Sequence, residues 1–270
     1  MRLGLFLATL IGLAGASHIS SAADATWAAV GALENGMSTS CGGGSIPLPE
    51  WTTTANVGLY SQYVFRGLTQ TNEKPALQGG FDVSHASGLY AGIWASNISW
   101  ISDATPAASA ILEADIYGGY KYAITDWLGS DVGFLHYAYP GSYPTGSTKA
   151  DTNEVYVGLD AKWITLRYSY ALGNTFGSPD TRGTSYIDLG INHDLFAGIT
   201  GVAHVGRQRY TGPNSSNLTY TDWKLGVSRD FSGYVLGAFY TGTNAKDAGY
   251  VVKGINLGRD HFVVSVSRTF

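Results

Sequence analysis

Charged side chains in this sequence recur at every second position, which gathers acids and bases on one face of an extended chain. Glu113 and Asp115 are two residues apart, and in EVYVGLDAKWITLRYSY (154–170) Glu154 and Asp160 share one row. After a change of phase near Trp163, Arg167 falls in the corresponding polar row. Successive side chains of a β-strand point to opposite faces, so each segment has one polar and one apolar face. A row of acids and bases can select charged solutes electrostatically.

The polar rows of the other segments extend this set. The candidate residues of the polar face are Arg66, Asp82, Glu113, Asp115, Lys121, Glu154, Asp160, Arg167, Asp188, Asp222 and Lys224. Two interpretations stay open: the side chains line a polar passage, or they pair with one another and fill a narrow interior.

Catalytic and metal chemistry have weaker support. Among the histidines that follow the predicted signal, only that of SHASG (84–88) neighbours a serine, and His136 and His204 are interpreted as polar wall residues. No Gly-rich phosphate loop with flanking strand and helix occurs, and the histidines and acids lack metal-ligand spacing. We therefore expect no enzymatic activity, no cofactor and no metal site.

The composition favours an all-β chain. Only 13% of the 270 residues are charged, whereas Gly occurs 36 times and Tyr 18 times. The formal net charge of -4 and the lack of a basic stripe argue against a nucleic-acid partner.

The N-terminal residues predict export. Arg2 precedes an apolar run and small residues, the pattern of a cleaved secretory signal over 1–23, with cleavage after Ala23. Residues 24–50 lack periodicity and are predicted to be a flexible extension; Cys41 has no partner thiol there and is read as an exposed bystander. The third unit is a β-domain over 51–270.

Alternating segments follow one another from Trp51 to the C-terminus without a convincing helical pattern, and they predict about twelve strands, the first at 55–66. Long, Gly/Pro/Ser/Thr-rich links alternate with short ones along the chain. Long loops at one end and tight turns at the other are typical of an up-and-down antiparallel transmembrane β-barrel, with short periplasmic turns and longer extracellular loops.

The apolar row is predicted to face lipid. Closure into a barrel removes exposed sheet edges, and large aromatic side chains in the apolar row resemble the girdles of such barrels. Those predicted for the girdles are Trp94, Tyr120, Tyr122, Trp163, Tyr168, Tyr170, Trp223 and Phe262. The terminal Phe270 on an amphipathic strand resembles an outer-membrane assembly signal, although Arg268 interrupts its row. A soluble periplasmic β-protein is the weaker alternative.

The segment FRGLTQTNEKPALQ (65–78) follows the predicted first strand, which Arg66 is expected to end. It predicts either a loop folded inward to narrow the mouth or an exposed outer loop.

Several motifs resemble the TorF family of porin-like bacterial outer-membrane proteins. They include YVFRG, LTQ, KPALQGGFD, SGLYAG and WASN near the start of the barrel, then EADIYGGY, EVYVGL, YSYALGNTFG, HVGRQ and TDWKLGVSRDFSG. The resemblance covers about residues 51–270 and implies a porin-type barrel, without implying a substrate.

The leading hypothesis is an outer-membrane porin-like channel for passive diffusion of small polar or charged solutes. The alternative is a barrel plugged by its own side chains, whose outer loops act as an adhesin or receptor surface. The expected partners are outer-membrane lipid, the barrel-assembly machinery through the C-terminal strand, and small polar solutes. The choice between monomer and homo-oligomer stays open.

Overall fold

The computed structural model describes residues 50–270. The predicted signal peptide (1–23) and nearly all of the predicted extension (24–50) lie outside the described residues. The strands are β1 (Trp51–Tyr60), β2 (Val64–Phe65), β3 (Leu68–Thr69), β4 (Ala76–His85), β5 (Leu89–Asn97), β6 (Leu112–Thr125), β7 (Leu128–Ala138), β8 (Thr152–Ala161), β9 (Ile164–Ala171), β10 (Ser185–Phe196), β11 (Ile199–Arg209), β12 (Tyr220–Phe231), β13 (Tyr234–Thr243), β14 (Val251–Val252), β15 (Ile255–Asn256) and β16 (His261–Thr269).

Twelve of these strands form one closed antiparallel barrel. Each barrel strand pairs with its neighbours in sequence, and β1 pairs with both β4 and β16, which closes the sheet. The seam continues past β16, because the Phe270 N–H donates to the Ala55 carbonyl at 2.7 Å and the Ala55 N–H donates back at 3.1 Å. The predicted all-β barrel of about twelve strands is confirmed.

The two faces of the wall have opposite chemistry. The apolar row is on the outside: Ile116, Leu189 and Leu225 are 54%, 42% and 63% exposed. The charged row is inside, where Glu113 and Asp222 are fully buried. This is the reverse of a soluble barrel, in which the apolar row faces the interior.

Long loops and short turns lie at opposite ends of the barrel, as predicted. The long loops are L1 (61–75), L2 (98–111), L3 (139–151), L4 (172–184), L5 (210–219) and L6 (244–260). Two further hairpins lie within loops: β2–β3 in L1 and β14–β15 in L6.

The first strand ends earlier than predicted. β1 ends at Tyr60, and the predicted continuation to residue 66 is wrong because Val64 and Phe65 belong to the separate β2–β3 hairpin. Arg66 and Gly67, with φ of +46° and +76°, form its two-residue turn. Positive φ at both central residues is the geometry that matches strand twist in a tight hairpin.

The expected lack of helices is also wrong in detail. Three short helices lie in the long loops: α1 (Trp100–Ala104) in L2, α2 (Ser215–Leu218) in L5 and α3 (Asp247–Tyr250) in L6. Single turns of this length lack the repeat needed for a helical period to show in sequence. Within residues 50–270, no helix combines the length and hydropathy required to cross a membrane.

The prediction that Trp94 belongs to the outer aromatic row is wrong. In β5 the exposed positions include Leu89 and Ile93, so the alternation turns Trp94 inward, where it is 3% exposed. Its ring packs edge-on against Tyr63 of L1, with 5.5 Å between centroids. The apolar core therefore lies inside the barrel at the long-loop end.

Candidate functional site

The turn of the L1 hairpin reaches across the barrel interior. The Arg66 guanidinium donates to both carboxylate oxygens of Glu154 on β8, at 3.0 and 2.7 Å, and to Gln208 Oε1 on β11 at 2.8 Å. It also lies 4.2 Å from the ring centroid of Tyr186 on β10. The side chains of Arg66 and Glu154 are each 3% exposed, so the pair is a buried, bidentate ion pair. L1 is thus the inward-folded alternative of the two that the sequence allowed.

Aromatic packing holds the hairpin in this position. Phe65 packs edge-on against Tyr137 and Phe176, each with 5.7 Å between centroids. A side chain at Gly67 would collide with the barrel wall at β12 and β13, since an added Cβ would lie 2.6 Å from Asp222 Cβ and closer still to Thr243. Glycine is therefore required here both for its positive φ and for its close approach.

Other long loops secure the base of L1. The Gln70 carbonyl accepts hydrogen bonds from the Ser99 and Trp100 backbone N–H groups of L2, at 2.8 and 3.1 Å. Arg259 of L6 donates through Nε to Glu73 Oε1 at 2.8 Å. This hydrogen bond from Arg259 holds the pKa of the Glu73 carboxyl below its ordinary value.

A pair of acids lies beneath the hairpin. Glu113 accepts a hydrogen bond from the Tyr63 hydroxyl at 2.8 Å, and Asp115 is 1% exposed with both carboxylate oxygens lacking a hydrogen-bond partner. Both lie on the inner face of β6, at the two-residue spacing seen in the sequence. Burial of a carboxyl group without partners is costly, so Asp115 is an unsatisfied polar group of the interior.

A second cluster lies nearer the middle of the interior, on β4 to β9. The Tyr117 hydroxyl donates to Asp82 at 2.6 Å, and the Tyr90 hydroxyl donates to Asp131 at 2.7 Å. Lys121 Nζ lies 4.8 Å from the ring centroid of Tyr90. Arg167 lies 3.6 Å from the ring centroid of Tyr156, and Asp160 is half-buried further towards the short-turn end of β8.

A third cluster centres on His204 of β11. Its Nδ1 lies 2.6 Å from Asp188 on β10, and its Nε2 lies 2.7 Å from Asp222 on β12. The Tyr186 hydroxyl also donates to Asp222, at 3.1 Å. Lys224 is the neighbour of His204 across the β11–β12 ladder and lies 5.7 Å from the Phe239 ring centroid.

Sequence reasoning missed two members of these clusters. Asp131 is fully buried and was not a candidate, although it shares the inner row of β7 with Tyr137. His204 was interpreted as a wall residue, whereas it bridges carboxylates of two neighbouring strands. The alternation of β7 places Asp131 on the inner face and could have identified it. The partners of His204 come together only through the register of β10, β11 and β12.

All eleven candidates of the polar row lie on the interior side, and the three clusters distribute them along it. Among residues 50–270 the interior carries eight carboxylates against four permanent cations and His204. The carboxylates are those of Asp82, Glu113, Asp115, Asp131, Glu154, Asp160, Asp188 and Asp222. At the long-loop end these groups are buried, whereas Lys121, Asp160 and Lys224 keep accessible surface.

The serine–histidine motif lies outside this site. His85 contacts Ser87 Oγ at 2.8 Å and Glu50 Oε1 at 2.9 Å in the short β4–β5 turn, and the Ser87 backbone N–H also donates to His85. The Glu50 side chain is 74% exposed, so the group is open to solvent and the contacts serve the turn. Within the described part of the chain no three His, Cys, Asp or Glu residues are grouped as metal ligands.

A protein-family model described as "Bacterial protein of unknown function (Gcw_chp)" matches residues 46–270. The chain belongs to the Gcw_chp family. A comparison of the sequence with curated proteins found no match.

Several solved structures of outer-membrane barrels have a similar fold. The KdgM porin is 9% identical, covers 80% of this chain and 98% of its own, and gives a TM-score of 0.51. The COG4313 outer membrane channel from Pseudomonas putida F1 is 9% identical, with 86% and 100% covered and a TM-score of 0.51. The NanC porin is 12% identical, with 81% and 99% covered and a TM-score of 0.50. At such identities the likeness establishes a shared barrel fold.

Proposed function

We propose that this Gcw_chp protein is an outer-membrane porin-like channel for passive diffusion of small polar or charged solutes. The observation that carries the proposal is a closed barrel with an apolar exterior and a charged interior. Lipid-facing and lumen-facing rows alternate in this way in transmembrane barrels. The fold shared with porins and the TorF-like motifs support the same proposal, including membership of the TorF type of porin.

Selectivity in this proposal comes from the interior charges. The eleven polar-row candidates and Asp131 line the lumen, and carboxylates outnumber permanent cations there. Rings of acidic side chains favour cations in channels. We therefore assign the channel a preference for cations, with L1 and Arg66 at its narrowest part.

The test is the reversal potential under a salt gradient. The triple variant Glu113→Gln, Asp115→Asn and Asp188→Asn removes three interior carboxylates while preserving side-chain shape. The expected result is a shift of the reversal potential away from cation preference. Glu50→Gln is the matched control, because Glu50 is an exposed acid at the short-turn end. An unchanged potential in the triple variant would count against the lining role.

A second candidate function is a self-plugged barrel whose outer loops bind a partner. The buried Arg66–Glu154 pair favours it, because L1 seals the long-loop end with aromatic and ionic contacts. Folded, membrane-inserted protein that passes no current in wild-type form or with Arg66 replaced by alanine would favour this candidate over the channel.

The remaining parts of the proposal concern export and assembly. Residues 1–23 act as the cleaved signal and 24–50 as an extension before the barrel at 51–270. The C-terminal strand, with Phe270 exposed at the seam, is the segment read by the barrel-assembly machinery. N-terminal sequencing of the mature protein tests cleavage after Ala23.

A further inference from the structure

A polar cavity of about 510 Å³ lies at the long-loop end of the barrel. Its walls include Arg207 and Arg209 from the end of β11, Ser216 from L5, and Asn244 and Lys246 from L6. The two arginines belong to the exterior row, whereas the buried Tyr210 and Tyr220 also line the cavity.

The two arginines lie at the long-loop end of the exterior row. Arg207 and Arg209 are exposed in step with Val205, whereas the intervening Gly206 and Gln208 are buried. They are the last two outward positions of β11, next to L5. An outward arginine is strongly unfavourable at the bilayer midplane and nearly neutral at the interface. These two therefore lie at the height of lipid headgroups.

The basic side chains around the cavity lack an acidic partner. The Arg207 guanidinium donates to Thr221 Oγ1 at 3.1 Å, and Lys246 Nζ donates to the Ser216 carbonyl at 2.7 Å. The ion pairs found among residues 50–270 do not include Arg207, Arg209 or Lys246. Three cations around one cavity without a carboxylate partner create a site for an anion.

Hydrogen bonds between L5 and L6 hold the loop side of the cavity in place. The Tyr250 hydroxyl donates to the Leu218 carbonyl at 2.6 Å, which ties L6 to L5. The Lys246–Ser216 hydrogen bond adds a second tie between the same loops. The loop cation is therefore positioned beside the two strand arginines before any ligand binds, which limits the ordering cost of binding.

We propose that this cavity binds a phosphate group in the headgroup of an outer-leaflet glycolipid. Guanidinium groups match phosphate oxygens in a two-pronged geometry, and a neighbouring ammonium adds a point charge. The lipid source follows from the direction of the arginines, which face out of the barrel wall. The proposal rests on the membrane location in the proposed function and is independent of whether the barrel conducts.

The test compares purified, detergent-solubilised variants by native mass spectrometry, titrated with diphosphorylated lipid A or with its dephosphorylated form. The wild-type protein is expected to bind the diphosphorylated lipid at least tenfold more tightly. The double variant Arg207→Gln/Arg209→Gln should lose roughly tenfold or more in affinity, since each basic group near an anionic membrane surface contributes roughly fivefold. Lys246→Gln, in an exposed loop that leaves the strands intact, should lose severalfold.

The matched control is Arg229→Gln. Arg229 is also exposed in the exterior row, but it lies at the short-turn end of β12, and its affinity change should be negligible. Equal binding by wild type and the two cavity variants, or an equal loss in the Arg229 variant, would overturn the proposal. Tight binding of inorganic phosphate with no preference between the two lipids would overturn the lipid source. Unaltered single-channel currents accompanying lost lipid binding would show that this site and the channel are separate properties.

Discussion

Replacement of Arg66 by alanine removes the side chain that joins L1 to the opposite wall. The Arg66 and Glu154 side chains are each 3% exposed, so the variant leaves a buried carboxylate without its cation. Breaking one partner of a buried pair costs about 3–5 kcal/mol. If this cost falls on docking of L1, the ratio of undocked to docked hairpin rises roughly 140- to 4,000-fold, at about 1.4 kcal/mol per factor of ten.

The assay is the open probability of single channels in a planar bilayer. Arg66→Ala is expected to raise the open probability or the step size, because an undocked hairpin clears the long-loop end. Lys74→Ala is the matched control: it removes a cation from the same loop, but Lys74 is exposed. Glu154→Gln should act in the same direction as Arg66→Ala, and the double variant should change less than the sum of the two.

Wild-type currents from folded Arg66→Ala and Lys74→Ala proteins would show that the Arg66 contact does not hold L1 in the lumen. Additive effects of the Arg66 and Glu154 substitutions would likewise show that the two side chains act independently of their contact.

Three further predictions concern the wall and L1. Leu189→Arg and Leu225→Arg each place a charge on the exterior row at a cost of about 2–4 kcal/mol at the midplane, and should block assembly as judged by heat-modifiable migration, whereas normal accumulation of both would reverse the assignment of the faces. Gly67→Val should undock L1 and mimic the Arg66 variant in channel recordings, because the φ of +76° and the close approach to β12 and β13 exclude a branched side chain. Wild-type currents would contradict this. The hydrogen bond from Arg259 holds the Glu73 pKa below its ordinary value. The stabilisation of L1 by this bond should therefore be complete above the ordinary pKa and be lost as pH falls through the lowered one. A pH titration of L1 protease protection checks this direction, with a flat profile expected for Glu73→Gln.

The barrel itself was predictable because the same two-residue alternation recurs in strand after strand. The two-residue alternation separates exposed Leu189 from interior Asp188, and the alternation of long and short links orders the strands without any long-range information. Closure follows from the same pattern, since an exposed edge would carry unpaired backbone groups.

The centre of the site was less accessible to sequence reasoning. Arg66 could be read as the end of a strand because Val64 and Phe65 continue an apolar pattern, yet they form a separate hairpin that points inward. The partners of Arg66 are 88 and 142 residues away in sequence, so no local pattern connects them. The aromatic character of Trp94 suggests the outer row, whereas its parity in β5 places it inside.

The contacts of His204 show the same limit. Asp188, His204 and Asp222 meet only because three strands pair in a particular register, and a shift of that register by two residues would separate them while preserving every face. Sequence alternation determines which side of the wall a residue occupies. Its neighbours along that side depend on strand pairing and on the loop that folds over it.

Ion conduction through the charged interior is the property on which the proposed function depends. It is measured by single-channel recording of the purified, refolded protein in a planar lipid bilayer under a potassium chloride gradient. Discrete conductance steps, absent from a mock preparation, are expected, with a reversal potential that favours cations. Heat-modifiable protein that inserts but passes no current, both as wild type and with Arg66 replaced by alanine, would refute a channel function.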